Sequence, residues 1–99
     1  MICIAFVQKL SLQYSIGFPD FPGCDAVGSS FYDALARGSE SLRQHIARLE
    51  RSDSPVPVPR TLYEIMDDPD LVAWRRRSVL AQVDLSGRPR RRFASPGQG

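Results

Sequence analysis

Three groups of side chains in this sequence are of types that do chemistry: carboxylates, thiols with a lone imidazole, and guanidiniums. Asp67, Asp68 and Asp70 stand together around Pro69, and Asp20 lies in a corner with Pro19, Phe21 and Pro22. Neighbouring carboxylates can hold a divalent cation or move protons. They also cap helices and close turns, and the surrounding residues favour those uses. The 67–70 cluster lies at prospective helix N-termini, where exposed N–H groups stabilise negative charge. Asp20 sits where an Asp side chain closes a turn by bonding a backbone N–H two residues on.

Cys3 and Cys24 both lie in apolar, strand-like runs and read as buried, reduced thiols. His45 is the single histidine, there is no Cys-x-x-Cys pair, and zinc has no second pair of soft ligands. No Ser or Cys has a base placed beside it, and no glycine-rich phosphate loop occurs. No catalytic residue, metal site or cofactor is therefore expected, and the chain does not read as an enzyme.

Arginine outnumbers lysine 12 to 1, and its distribution matters more than the net +2. Through Trp74 there are six basic and ten acidic residues, a net of −4; beyond it seven arginines face Asp84 alone, a net of +6. Arg75–Arg77 and the run Arg88, Arg90, Arg91, Arg92 are suited to phosphate contact. Aromatic interleaving is limited to Trp74 and Phe93, and no helix-turn-helix or finger pattern occurs. Charge alone leaves open a nucleic-acid-binding arm or a solvated tail.

The elements that must position these groups follow from periodicity. Ile2–Lys9 alternates with both faces apolar, as in a central strand. Tyr14, Ile16 and Phe18 alternate in a second strand, which Pro19 stops; Pro22-Gly23 provides a turn, and Cys24–Gly28 gives a third strand in an antiparallel meander. Ser30 then caps a long amphipathic helix, with Asp33 at the third helical position in an Asp version of the capping box. Phe31, Leu35, Gly38, Leu42, Ile46 and Leu49 form its apolar stripe, with His45 at the edge. Gly38 on that stripe implies close approach to the sheet.

Arg51–Arg60 is a proline-rich linker. Thr61 and Glu64 form a second capping box before a short helix, a break falls at Asp67-Asp68, and Pro69 opens another brief turn through Trp74. Ser78–Leu85 alternates as a fourth strand which, after so long a crossover, can join the sheet parallel to a neighbour. The expected architecture is α+β: a three-stranded meander plus a fourth strand, one long helix on the sheet and one or two short helices. Residues 1–85 form the domain and 86–99 a basic tail. With 99 residues a core is small and stability marginal, so a partner or self-association is expected. The N-terminus carries neither a signal peptide nor a membrane span, which makes the cytosol the expected compartment.

The run Tyr14-Ser-Ile-Gly-Phe18-Pro-Asp-Phe-Pro-Gly-Cys24, with Gly28, Ser30 and Asp33-Ala-Leu35, resembles the signature of HicB-family antitoxins in order and spacing. The resemblance continues through the helix, the proline-rich segment and the Thr-capped helix to about Leu85. Ala26 departs from the usual Thr and Asp33 from the common Glu. The resemblance implies a degenerate ribonuclease-H-like module without a catalytic carboxylate set. It implies binding to a small, basic, messenger-RNA-cleaving HicA-like toxin, whose active face the antitoxin covers. Family members commonly continue into an operator-binding domain, and Gly99 stands where one would begin. The residues expected to meet a partner are Asp20, Phe21, Pro22, Asp67, Asp68 and Trp74. The competing readings are an orphan homo-oligomeric module, dimeric or higher, and a nucleic-acid-binding regulator using the Arg88–Arg92 run.

Overall fold

The computed structural model describes residues 1–85. Its elements are β1 (Ile2–Lys9), β2 (Tyr14–Gly17), β3 (Ala26–Gly28), α1 (Phe31–Arg51), α2 (Leu62–Met66), a 3₁₀ turn (Pro69–Leu71), α3 (Val72–Arg76) and β4 (Val79–Asp84). The strands form one antiparallel sheet in the order β3-β2-β1-β4. The architecture is the expected α+β one, and β1 is central.

The fourth strand corrects the expectation of a parallel partner: β4 runs antiparallel to β1, from Ile2 opposite Asp84 to Val7 opposite Val79. The reason lies in the crossover. The 52–61 segment, α2 and α3 bring the chain around to the Val7 end of β1, so β4 enters there and returns toward Met1. Leu85 N–H closes the pairing on Met1 O at 2.7 Å.

Because β1 alternates, its two faces feed two cores. Cys3, Ala5 and Val7 point with Ile16 and Val83 into a cluster roofed by Ala34 and Leu42 of α1. Ile4 and Phe6 point the other way, against Ile65, Leu71, Trp74 and Leu80. The sheet is thus covered on both faces, which explains a first strand apolar on both sides.

Local signals explain the helix limits. Ser30 is extended (φ −148°, ψ 170°) and its Oγ accepts the Asp33 N–H at 3.0 Å. The reciprocal bond is displaced by one residue: Asp33 Oδ2 accepts from Ser29 N–H at 2.8 Å. α1 ends in a Schellman arrangement, with Asp53 N–H on Glu50 O at 3.1 Å and Ser54 N–H on Leu49 O at 2.8 Å. Its left-handed position is held by Asp53 (φ 58°), where glycine is usual. At α2 both halves of the Thr61–Glu64 capping box are present.

α1 lies close on the sheet. A Cβ on Gly38 would come 2.6 Å from Ile16 Cγ2, and one on Gly28 would collide with the backbone of Ala34. Gly38 is thus the point of close approach that its place on the apolar stripe implied.

Candidate functional site

The Phe18–Cys24 corner is two successive turns, Phe21 N–H to Phe18 O at 3.0 Å and Cys24 N–H to Phe21 O at 3.1 Å. The second has Pro22 and Gly23 (φ 92°) at its central positions, the requirement of a type II turn. β3 starts only at Ala26, because Cys24 is still held in this turn and buried in the core.

Asp20 is not the local turn former that its neighbours suggested. Its carboxylate reaches across the molecule, accepting from Arg60 N–H at 2.8 Å through Oδ2 and from Arg60 Nε–H at 2.6 Å through Oδ1. Arg60 Nη1 donates to Asp68 Oδ2 at 2.7 Å, and Asp68 Oδ1 accepts Asp70 N–H at 2.9 Å. One guanidinium therefore clasps the corner to the end of the linker and to the 3₁₀ turn. The Asp20 side chain is 10% exposed and that of Asp68 22%, so the clasp is partly shielded from water. The guanidinium beside Asp68, with the Asp70 N–H, holds its carboxyl below the usual range, and Asp68 and then Asp20 raise Arg60 in turn.

Sequence reasoning named both carboxylates and missed the cation that joins them. The available signal was that Arg60 is the only basic residue between Arg51 and Arg75, placed where the prolines end. Asp68 also caps the 3₁₀ turn, as expected of that cluster; Asp67 is the exposed C-cap of α2 and lies outside the clasp.

Phe21, Pro22 and Trp74 are brought together around a hollow of about 290 Å³ that Gly17 and Asp25 also line. Phe21 is 1% exposed, a core residue, so it forms the base of the hollow, while Pro22 is exposed at the rim. Trp74 is fixed by Phe6, ring centroids 4.7 Å apart at 67°, and by Gly17, whose missing side chain leaves room for the indole. A larger groove of about 500 Å³ lies along α2 and the Ile2 end of the sheet, lined by Ile2, Arg60, Leu62, Tyr63 and Gln82. The Arg60 clasp therefore fixes one wall of that groove.

Cys3 and Cys24 are free and buried, and burial pushes both thiols up, Cys3 to about 11. Among the described residues no cluster of His, Cys, Asp and Glu could hold a metal ion, and no helix is long and apolar enough to cross a membrane. Arg88, Arg90, Arg91 and Arg92 lie outside the described residues.

Comparison with known proteins supplies the rest. An uncharacterized 14.9 kDa protein from the rep-hol intergenic region of Haemophilus phage HP1 is 26% identical over 69 residues, covering 70% of this chain. The chain thus spans half the length of that phage protein. The structure titled "HicA3 and HicB3 toxin-antitoxin complex" contains a chain 29% identical, with TM-score 0.68, covering 85% of this chain and 96% of that one. The crystal structure of the N-terminal domain of the Burkholderia pseudomallei antitoxin HicB shares the fold at TM-score 0.67 and 24% identity, over 86% of this chain and 98% of that one. The family model for the HicB-like antitoxins of bacterial toxin–antitoxin systems matches residues 2–92, the sheet and every helix described above, and the chain belongs to that family.

Proposed function

We propose that this chain neutralises a small, basic, HicA-like ribonuclease toxin by covering its active face, acting as a binding protein without catalysis of its own, in the cytoplasm. The observation that carries this reading is the antitoxin family match across residues 2–92, supported by the likeness to a chain solved in a HicA3–HicB3 complex. The charge distribution agrees with it. The stretch through Trp74, net −4, attracts a basic RNA-binding surface and competes with RNA for it. The docking surface in this proposal is the rim around Pro22 and Trp74 together with the exposed Asp67. Phe21 supports the rim from below, and Asp20 and Asp68 hold it in place through Arg60. Residues 1–85 act as the docking body, and 86–99 as a separate basic tail.

The test is co-expression with the small basic protein encoded by the neighbouring reading frame. That protein alone should arrest growth and cleave messenger RNA, and this chain should restore growth and co-purify with it. Failure of both rescue and co-purification would overturn the proposal.

A further inference from the structure

In three of the hollows on the described surface the lining charges are already matched. Arg60, in the groove along α2, is taken up by Asp20 and Asp68. Asp33 and Arg37, which line another beside Gly28, are paired at 3.0 Å, and a further one beside Met1 and Leu85 has Arg43 and Glu50 together in its wall. The hollow of about 290 Å³ with Pro22 at its rim differs. Asp25 is the charged residue of its lining, and among the described residues that carboxylate has no hydrogen bond or ion pair. The Cys24 thiol, raised by burial, feels the charge of Arg48, yet Arg48 neither lines the hollow nor pairs with Asp25.

The rest of the lining is apolar and held in place. Phe18, Phe21 and Cys24 are buried core residues, Pro19 and Pro22 add ring carbons, and the Trp74 indole forms part of the wall. Its two sides are fixed independently: the corner by its successive turns and the Arg60 clasp, the indole by Phe6 and Gly17. The volume falls just under that of small-molecule pockets, about 300–1,000 Å³, and suits a single side chain. Apolar walls with one carboxylate exposed at the edge call for an apolar stem that ends in a cation. Lysine and arginine are built that way, their methylenes lying on apolar surface while the charged head stays at the water boundary, and a nearby indole adds attraction for the cation. An anionic group would be repelled by Asp25, and a purely aliphatic one would gain nothing from it.

We propose that this hollow receives one arginine or lysine side chain of a basic protein partner, its stem against Phe18, Pro22 and Trp74 and its cationic head on the Asp25 carboxylate. The inference rests on the docking rim proposed above and adds to it a residue, Asp25, and the chemistry of the group that must stand opposite. An exposed ion pair by itself contributes little, so the stem buried against the indole supplies the affinity and Asp25 supplies the choice of charge.

The experiment uses the full chain and free side-chain probes. Nα-acetyl-argininamide and Nα-acetyl-lysinamide, each taken to about 50 mM at fixed ionic strength because one side chain binds weakly, are followed by heteronuclear NMR. They should move the Trp74 indole N–H and the Gly23, Cys24 and Asp25 amides in a saturable way. Nα-acetyl-norleucinamide, which has the stem without the charge, should bind at least about threefold more weakly, and D25N should weaken the arginine probe by a similar factor with circular dichroism unchanged. A second arm uses the basic protein of the neighbouring reading frame. D25N should weaken its complex about fivefold and D25K further, while E50Q, which removes the same charge from the hollow beside Leu85, should leave it within about twofold. Shifts scattered over the surface, a neutral probe as good as the charged ones, or D25N no worse than E50Q would overturn the inference. The two proposals fail separately: a toxin bound equally by wild type and D25N refutes the side-chain socket alone, and probes seated in the hollow of a chain that binds no toxin refute neutralisation alone.

Discussion

Arg60 is the side chain on which two acidic segments distant in sequence converge, so its removal has consequences at both. Truncating it removes the Nε–H bond to the nearly buried Asp20 carboxylate, which keeps the backbone N–H of residue 60, and the Nη1–H bond to Asp68, and R60A should lose about 1–3 kcal/mol, read from urea unfolding. R60K should recover only part of this, since an ammonium does not reproduce the fork that spans Asp20 and Asp68. The Asp68 carboxyl is depressed in the folded state, chiefly by Arg60 and next by the Asp70 N–H. Its contribution is therefore complete above the unfolded value, about 3.9, and is lost as pH falls through the folded one. Wild type should lose stability on acidification below about pH 4 more steeply than R60A does. The glycines give a second test at this scale. A methyl at Gly17 meets a side chain, the Trp74 indole, whereas one at Gly28 meets the Ala34 backbone, which cannot turn aside. G28A should cost about 1–3 kcal/mol and more than G17A, measured in the same unfolding series.

At the scale of elements, the chain uses caps where its helices are short or must stop. α2 has five residues, too few to persist without its Thr61–Glu64 box and the burial of Ile65. T61A should cost about 1 kcal/mol. At the far end of α1, Asp53 occupies a left-handed position that a side chain disfavours. D53G should stabilise the protein by about 0.5–1 kcal/mol, seen as a raised Tm. Both caps at the helix N-termini were legible, because Ser30 with Asp33 and Thr61 with Glu64 are local patterns three residues apart. The direction of β4 was not. Its alternation fixes which side chains share a face but is the same for a parallel and an antiparallel neighbour, and only the path of the intervening segments decides between them.

For the whole molecule, the separation of charge is the property a partner meets first. If the proposed function holds, association with a basic toxin is steered by the acidic stretch through Trp74, and its rate constant should fall by about tenfold or more when salt is raised from low to high ionic strength, measured by stopped-flow mixing. The residues proposed for docking divide. The sequence determined the local devices: the Pro22-Gly23 turn, the caps, the two-faced first strand and the order of residues that marks the family. These depend on neighbours within a few positions, and so they are written in spacing. Only the tertiary structure decided that Asp20 binds Arg60 forty residues away, that Phe21, expected to meet a partner, is buried at the base of a hollow, and that Trp74 rests on Gly17 and Phe6. The physical reason is the same in each case. A carboxylate, a phenyl ring or an indole satisfies itself with whatever the fold brings within a few ångströms, and the chain distance to that partner leaves no periodicity to read.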